Sequence, residues 1–229
     1  VFEDFSYGFR PNTRAHDALD SLAVTIETKE VNYILDADIV GCFDNINKNI
    51  LMEILKIRIK DKRILLLIRK LLDAGVIDRG ELSFSEDGVV QGSVISPLLA
   101  NIFLDFVLDK FFSVWNKELS IGAMYLVRYA DDFVIGFQYK EEALRFKGVL
   151  EDRLMCAGLA LSEEKTRLIR FGKNATNGNE MGDTEKTESF NFLGFCHNCS
   201  IAWKTGMFKL LRTTISSRME KKIIDIGGR

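Results

Sequence analysis

An α+β fold is predicted for this chain of 229 residues, and three observations predict it. Short runs of alternating or continuous apolar character at 31–39, 124–128 and 133–137 read as strands. Longer runs with apolar residues at helical spacing, at 15–26, 50–72, 96–112 and 141–157, read as helices. The two kinds are interleaved as strand, helices, strand, helix, hairpin, helix, strand rather than in strict alternation. An antiparallel sheet with helices packed on one face is therefore expected.

Each element has a local reason. Tyr7-Gly8-Phe9-Arg10-Pro11-Asn12 is turn-like, and Ala15, Ala18, Leu19, Leu22 and Ile26 then fall on one helical face. In the strand 31–39, Tyr33, Leu35, Ala37 and Ile39 alternate with Ile34, Asp36 and Asp38, so the two acids share a face. The stretch 50–72 is amphipathic and reads as two helices divided near 60–62. A short strand at 84–90 ends at Gln91-Gly92. At Ser96-Pro97, Ser suits the N-cap and Pro loses no needed hydrogen bond at the first helical position. That helix should run to about residue 112 and bury Leu99, Ile102, Phe103, Phe106 and Val107.

The runs 124–128 and 133–137 flank Tyr129-Ala130-Asp131-Asp132 as a β-hairpin, and Gly158 caps the helix 141–157. A further short strand occupies 168–171. The polar stretch 172–189, rich in Asn, Gly, Thr and Glu, is expected to be a mobile loop. A last hairpin lies within 190–203, and 210–226 reads as a basic amphipathic helix.

With 47% hydrophobic and 28% charged residues, the chain can build one sizeable core, or a main domain with a smaller lobe. No apolar run approaches the roughly 20 residues of a membrane span, and the first residues lack the basic and apolar regions of a signal peptide. Four cysteines do not make a disulfide framework in a chain of this size, which favours a reduced setting. Cys196, His197 and Cys199 have the beginnings of a zinc spacing but lack a second pair of ligands. The formal net charge of −2 sits poorly with a grip on phosphates. Basic clusters offset it: Lys56, Arg58, Lys60, Lys62, Arg63, Arg69 and Lys70 in one segment, and Arg212, Arg218, Lys221 and Lys222 in another. Such runs serve equally as solvated helix faces.

The acids carry the chemistry. Asp131 and Asp132 are adjacent like charges between apolar runs, an arrangement that costs free energy without a cation. A hard divalent ion such as Mg²⁺ takes carboxylate oxygens and supplies that charge. Asp38, on a neighbouring strand, would complete a site for two ions able to stabilise both the attacking and the leaving oxygen of phosphoryl transfer. Asp-Asp at a turn is by itself common, since Asp tolerates turn geometry.

Beyond the acids, Arg128-Tyr129-Ala130-Asp131-Asp132 resembles the Tyr-X-Asp-Asp hairpin of reverse transcriptases. Asp38-Ile39-Val40-Gly41-Cys42-Phe43-Asp44 resembles their first acidic motif. Gln91-Gly92-Ser93 followed by Ser96-Pro97-Leu98-Leu99-Ala100-Asn101 is similar to the family's nucleotide-contacting loop and helix. Leu161-Ser162 with Lys165-Thr166 is similar to a later palm motif, and Phe192-Leu193-Gly194-Phe195 to the primer grip. Tyr7-Gly8-Phe9-Arg10-Pro11 with His16-Asp17-Ala18-Leu19 points to the branch encoded by group II introns.

The resemblance implies the palm of a right-hand polymerase with partial fingers: a fingers segment at 1–30, the palm with inserted finger elements and the polar loop at 31–208, and the start of a thumb or connection helix at 209–229. It implies a core cut short at both ends. It implies an RNA-directed DNA polymerase with Asp38, Asp131, Asp132 and Lys165 as catalytic residues. Two Mg²⁺ ions, replaceable by Mn²⁺, would be held by Asp38, Asp131, Asp132 and the carbonyl of Ile39. Arg10, Ile39, Gly41, Cys42, Phe43, Gln91 and Gly92 would meet the incoming deoxynucleoside triphosphate (dNTP) and template. Phe43 would lie against the sugar and exclude a 2′-hydroxyl, its alternative being a core position. Lys165 is a candidate acid for the leaving pyrophosphate, and an exposed helix-end lysine is its alternative.

Phe192, Leu193, Gly194 and Phe195 would place the primer end. The implied partners are an intron RNA template, a DNA or RNA primer and dNTPs, in a bacterial cytoplasm without a membrane, with a homodimer left open. Val94 departs from the family, where Pro is frequent. An RNA-binding splicing cofactor with secondary polymerase activity, another bacterial retroelement enzyme (CRISPR-associated, diversity-generating or retron) and an RNA-dependent RNA polymerase remain as alternatives.

Overall fold

The computed structural model describes residues 2–73, 76–78, 81–83, 95–177, 188–203 and 205–215, with backbone alone at 76–78, 81–83 and 176–177. The predicted strand at 84–90, Gln91 and Gly92, most of the predicted loop at 172–189 and the end of the predicted helix at 210–226 lie outside them.

The elements in chain order are α1 (Ala15–Thr28), β1 (Tyr33–Asp38), α2 (Cys42–Asn45), α3 (Lys48–Arg58), α4 (Lys62–Asp73), β2 (Val76–Asp78) and β3 (Glu81–Ser83). They continue with α5 (Ser96–Leu104), a π-helical turn (Asp105–Asp109), α6 (Lys110–Glu118), β4 (Met124–Tyr129), β5 (Asp132–Phe137) and α7 (Lys140–Cys156). Last come β6 (Arg167–Arg170), α8 (Lys173–Asn177), β7 (Ser189–Phe192), β8 (Phe195–Ile201) and β9 (Phe208–Thr214).

The main sheet is antiparallel, in the order β4-β5-β1-β6. Alternation along its strands divides two cores. Leu35 and Ala37 of β1, Phe133, Ile135 and Phe137 of β5, and Met124 and Leu126 of β4 face one cluster with Leu51, Phe103, Leu108, Phe112, Phe146 and Leu150 of the helices. Ile34, Val134, Val127 and Ile169 face the other cluster, with Leu19, Leu22 and Ile26 of α1 and Phe190, Phe192 and Leu210 of the sheet β7-β8-β9. The expected helical layer is present, but the opposite face is covered too, by α1 and the small sheet. Asp36, Asp38 and Asp132 fall on this second face, beyond the end of its apolar packing.

Three expectations change. The helix beginning at Ser96 passes through the π-helical turn and continues to Glu118. Phe106, expected to be buried, is 36% exposed on that turn, whose extra residue rotates the following side chains. Residues 208–214 form a strand rather than a helix, because β9 pairs with all seven residues of β8 and only Leu210 is buried along it. Tertiary pairing outweighs a weak amphipathic pattern there.

Candidate active site

The local sequence builds the site from two hairpins and a loop. Asp38, the last residue of β1, pairs in register with Asp132, the first residue of β5, so their side chains stand side by side on one face. Asp36 is on that face two residues earlier. Tyr129 pairs with Asp132, leaving Ala130 and Asp131 as a two-residue turn. Ala130 takes φ +58°, the left-handed value such a turn requires at its first position.

Beyond β1 the chain leaves the sheet at Gly41, whose φ of +47° suits a residue without Cβ, and enters α2. Leu161 and Ser162 run antiparallel beside 38–40: Ser162 N–H donates to the Asp38 carbonyl at 2.8 Å and Val40 N–H to the Ala160 carbonyl at 2.9 Å. This pairing delivers Lys165, whose Nζ donates to Asp38 Oδ2 at 2.9 Å. The second hairpin, β7-β8, turns at Leu193 (φ +49°) and Gly194 (φ +84°). The Leu193 N–H reaches Asp132 Oδ2 at 3.4 Å, so the tip of this hairpin leans on the acidic one.

Asp36, Asp38, Asp132, Lys165, Arg167 and Asn191 line an open cleft of about 280 Å³. Of these, Arg167 and Asn191 were not singled out from the sequence, and Asp36 was placed on the face of Asp38 without a role in the site. The Arg167 guanidinium lies 3.3 Å from Asp36, a contact signalled only by matching charges on two strands that the sequence could not pair. Burial pushes the Asp132 carboxyl up to about 6; Asp36, Asp131 and Asp38 add to the rise, and the Leu193 N–H opposes it. Burial likewise raises Asp36 above the ordinary carboxylate range, against Arg167. The ion pair with Asp38 raises Lys165 and keeps it charged.

The sequence-derived residues do not all converge. Asp38, Asp132 and Lys165 share the cleft. Asp131 does not line it and acts instead toward Cys42, whose thiol is pushed up to about 12 by burial and then by Asp131. Among the described residues no three His, Cys, Asp or Glu side chains close on one point as metal ligands. The donor set nonetheless suits a hard cation. Its donors are carboxylate oxygens that raise one another's affinity for protons, and the positive charge nearest Asp38 is an exposed lysine able to move aside.

Phe43 is partly buried against the helical core, which serves the sugar-facing and the core reading alike. Ile39 is buried and bridges to Leu161. Phe192 is buried in the second core, and Phe195 packs edge-on to His16 with Arg212 over its ring. Arg10 turns inward, donating to the carbonyls of Glu3 and Ser6 with its guanidinium over Phe2, away from the cleft. The zinc alternative finds no support: His197 is fully buried, stacked on Phe190 with centroids 4.8 Å apart, and no such ligand group exists among the described residues.

Residues 1–197 match the family model described as reverse transcriptase (RNA-dependent DNA polymerase). The chain belongs to the reverse transcriptase family. Protein YkfC of Escherichia coli (strain K12) is 32% identical over 201 residues, covering 73% of this chain and 52% of that protein. Group II intron-encoded protein LtrA of Lactococcus lactis subsp. cremoris is 41% identical over 111 residues, 48% of this chain and 18% of that protein. The chain thus spans about half of the first of these curated relatives and under a fifth of the second. Among solved structures, apo telomerase of Candida tropicalis truncated from its C-terminal domain gives a TM-score of 0.62 at 19% identity, covering 91% of this chain and 41% of that one. That likeness speaks for the reverse transcriptase fold. No helix among the described residues is long and apolar enough to cross a membrane.

Proposed function

We propose that the chain is the catalytic core of an RNA-directed DNA polymerase of the group II intron type, adding dNTPs to a primer on an RNA template. The observation that carries this reading is the in-register pairing of Asp38 with Asp132, one residue from Asp131, with the 192–195 hairpin leaning on the same carboxylate. Asp38, Asp131 and Asp132, with the Ile39 carbonyl, would hold two Mg²⁺ or Mn²⁺ ions, which supply Lewis-acid stabilisation to the attacking and leaving oxygens.

The remaining roles fall to the chain itself. Lys165, held charged beside Asp38, would give charge or a proton to departing pyrophosphate. Gly41, Cys42 and Phe43, of which Cys42 feels the Asp131 charge, would meet the triphosphate and sugar. Leu193 and Gly194 would seat the primer end. Gln91 and Gly92 keep their proposed nucleotide and template contacts, outside the described residues. Arg10 acts through the N-terminal segment it ties together rather than by touching substrate.

Intron RNA binding in support of splicing belongs to the same reading, through the relatives encoded by group II introns. A bacterial cytoplasmic setting fits the Escherichia and Lactococcus relatives. The test is primer extension on an RNA template with Mg²⁺. Asp131→Ala should lower extension by roughly 10³-fold with the fold intact, the size of losing one well-placed electrostatic stabiliser. Extension at the wild-type rate would refute the assignment.

A further inference from the structure

The turn that carries Asp131 is braced from behind by a buried polar network, and we propose that this network, centred on Arg128, sets where the carboxylates of the turn stand. The inference rests on the reading of Asp38, Asp131 and Asp132 as a divalent-cation site. Arg128 lies two residues before Ala130 and points to the helical face of the sheet, opposite to Asp132. Its Nε donates to Asp109 Oδ1 at 2.7 Å, and one terminal nitrogen donates to Asp109 Oδ2 and, at 2.8 Å, to Ser6 Oγ. The other terminal nitrogen donates to Asn101 Oδ1 at 2.9 Å and to the Ala130 carbonyl at 2.7 Å. All five guanidinium N–H groups are thereby engaged. Ser6, Asn101, Asp109 and Arg128 are each no more than 1% exposed.

A second contact closes the loop from the front. The N-terminal segment runs beside β4, with Arg128 N–H donating to the Phe5 carbonyl at 2.9 Å and Tyr7 N–H to the Arg128 carbonyl at 2.8 Å. This brings Gly8 against the turn so closely that a Cβ there would stand 2.3 Å from Ala130 N. Asn101 Nδ2 donates to the Gly8 carbonyl at 2.7 Å, tying the front contact to the rear one.

Ala130, between them, holds a left-handed conformation that alanine resists, and such a conformation persists only where its surroundings over-determine it. Fold stability alone does not call for this arrangement, because replacing a buried ion pair with well-packed apolar residues is often neutral or stabilising. A bond to the turn's own carbonyl and a glycine against its backbone are what positioning requires. Arg128 is accordingly a positioning residue, and Ser6, Gly8, Asn101 and Asp109 hold it and the turn in register.

The test measures Mn²⁺ affinity by electron paramagnetic resonance, alongside thermal unfolding, for wild type, Gly8→Ala, Arg128→Lys, Asp131→Asn and Leu22→Ala. Gly8→Ala keeps the Arg128–Asp109 pair and pushes only on the turn. It decides the matter alone if Arg128→Lys does not fold. Gly8→Ala and Arg128→Lys are expected to weaken Mn²⁺ binding by about tenfold or more, the scale of losing support behind metal ligands. Leu22→Ala should lower the melting temperature and leave affinity at the wild-type value. Wild-type affinity in Gly8→Ala, or an equal loss in Leu22→Ala, overturns the inference. Wild-type binding that does not depend on Asp131 overturns the metal reading itself, and this inference with it.

Discussion

Two hairpin turns meet at Asp132, and each bends its backbone through a residue that prefers not to. Between β4 and β5 the burden falls on Ala130 at φ +58°; between β7 and β8 it falls on Leu193 at φ +49°, with Gly194 following at φ +84°. The first turn is held by a buried ion pair and the N-terminal segment. The second has its own glycine and is flanked by an uncharged ring, His197, stacked 4.8 Å from Phe190. A turn that must present carboxylates is thus fixed by buried charge, whereas a turn that leans on them is supported by apolar packing. The first should fail when charge is left unmatched, and the second when charge is created.

The largest effect expected breaks the first turn. Arg128→Leu leaves the Asp109 carboxylate buried without its partner and should cost about 3–5 kcal/mol in denaturant unfolding. A loss below about 1 kcal/mol would mean that Asp109 accepts burial alone, and the contrast between the turns would collapse.

A somewhat smaller effect sharpens the second. Burial, and then Arg212, lowers the His197 imidazole from its ordinary value near 6.5 to about 4, so the folded protein keeps it neutral. The unfolded chain takes up a proton below pH 6.5 that the folded chain refuses until about pH 4, so stability is full above 6.5 and falls through that window. The fall amounts to about 3 kcal/mol at 1.36 kcal/mol per pH unit. His197→Phe keeps a ring on Phe190 and removes the ionisable group. Unfolding curves between pH 4 and 7 should be flatter for His197→Phe than for wild type by about that amount. Parallel curves would place the acid sensitivity elsewhere.

Alternation alone placed Asp36 and Asp38 on one strand face, and the apolar runs around Asp131-Asp132 gave the hairpin, because both signals are local. The partner of Asp38 was less legible. Lys165 lies 127 residues away and was reached through the resemblance, since no periodicity connects the two. The Arg128 network was missed. Ser6 lies on the N-terminal segment and Asn101 and Asp109 on one long helix, each polar residue looks incidental in its own run, and only the folded sheet brings them to Arg128. The strand at 208–214 was misread as helix because its pairing along β8 is a tertiary choice that a stretch with one buried side chain does not announce. Arg10 looked like a substrate contact because it is a cation in a family motif, yet its guanidinium is taken up by nearby carbonyls.

Everything proposed for the chemistry depends on carboxylates from β1 and the β4-β5 turn sharing divalent cations. Crystals soaked with Mn²⁺ and a dNTP, measured at the manganese absorption edge, test this most directly. Anomalous peaks bounded by Asp38, Asp131 and Asp132 are expected, with Lys165 displaced from Asp38 toward the triphosphate. Peaks confined to other parts of the surface, with the Lys165–Asp38 ion pair unchanged, would contradict it.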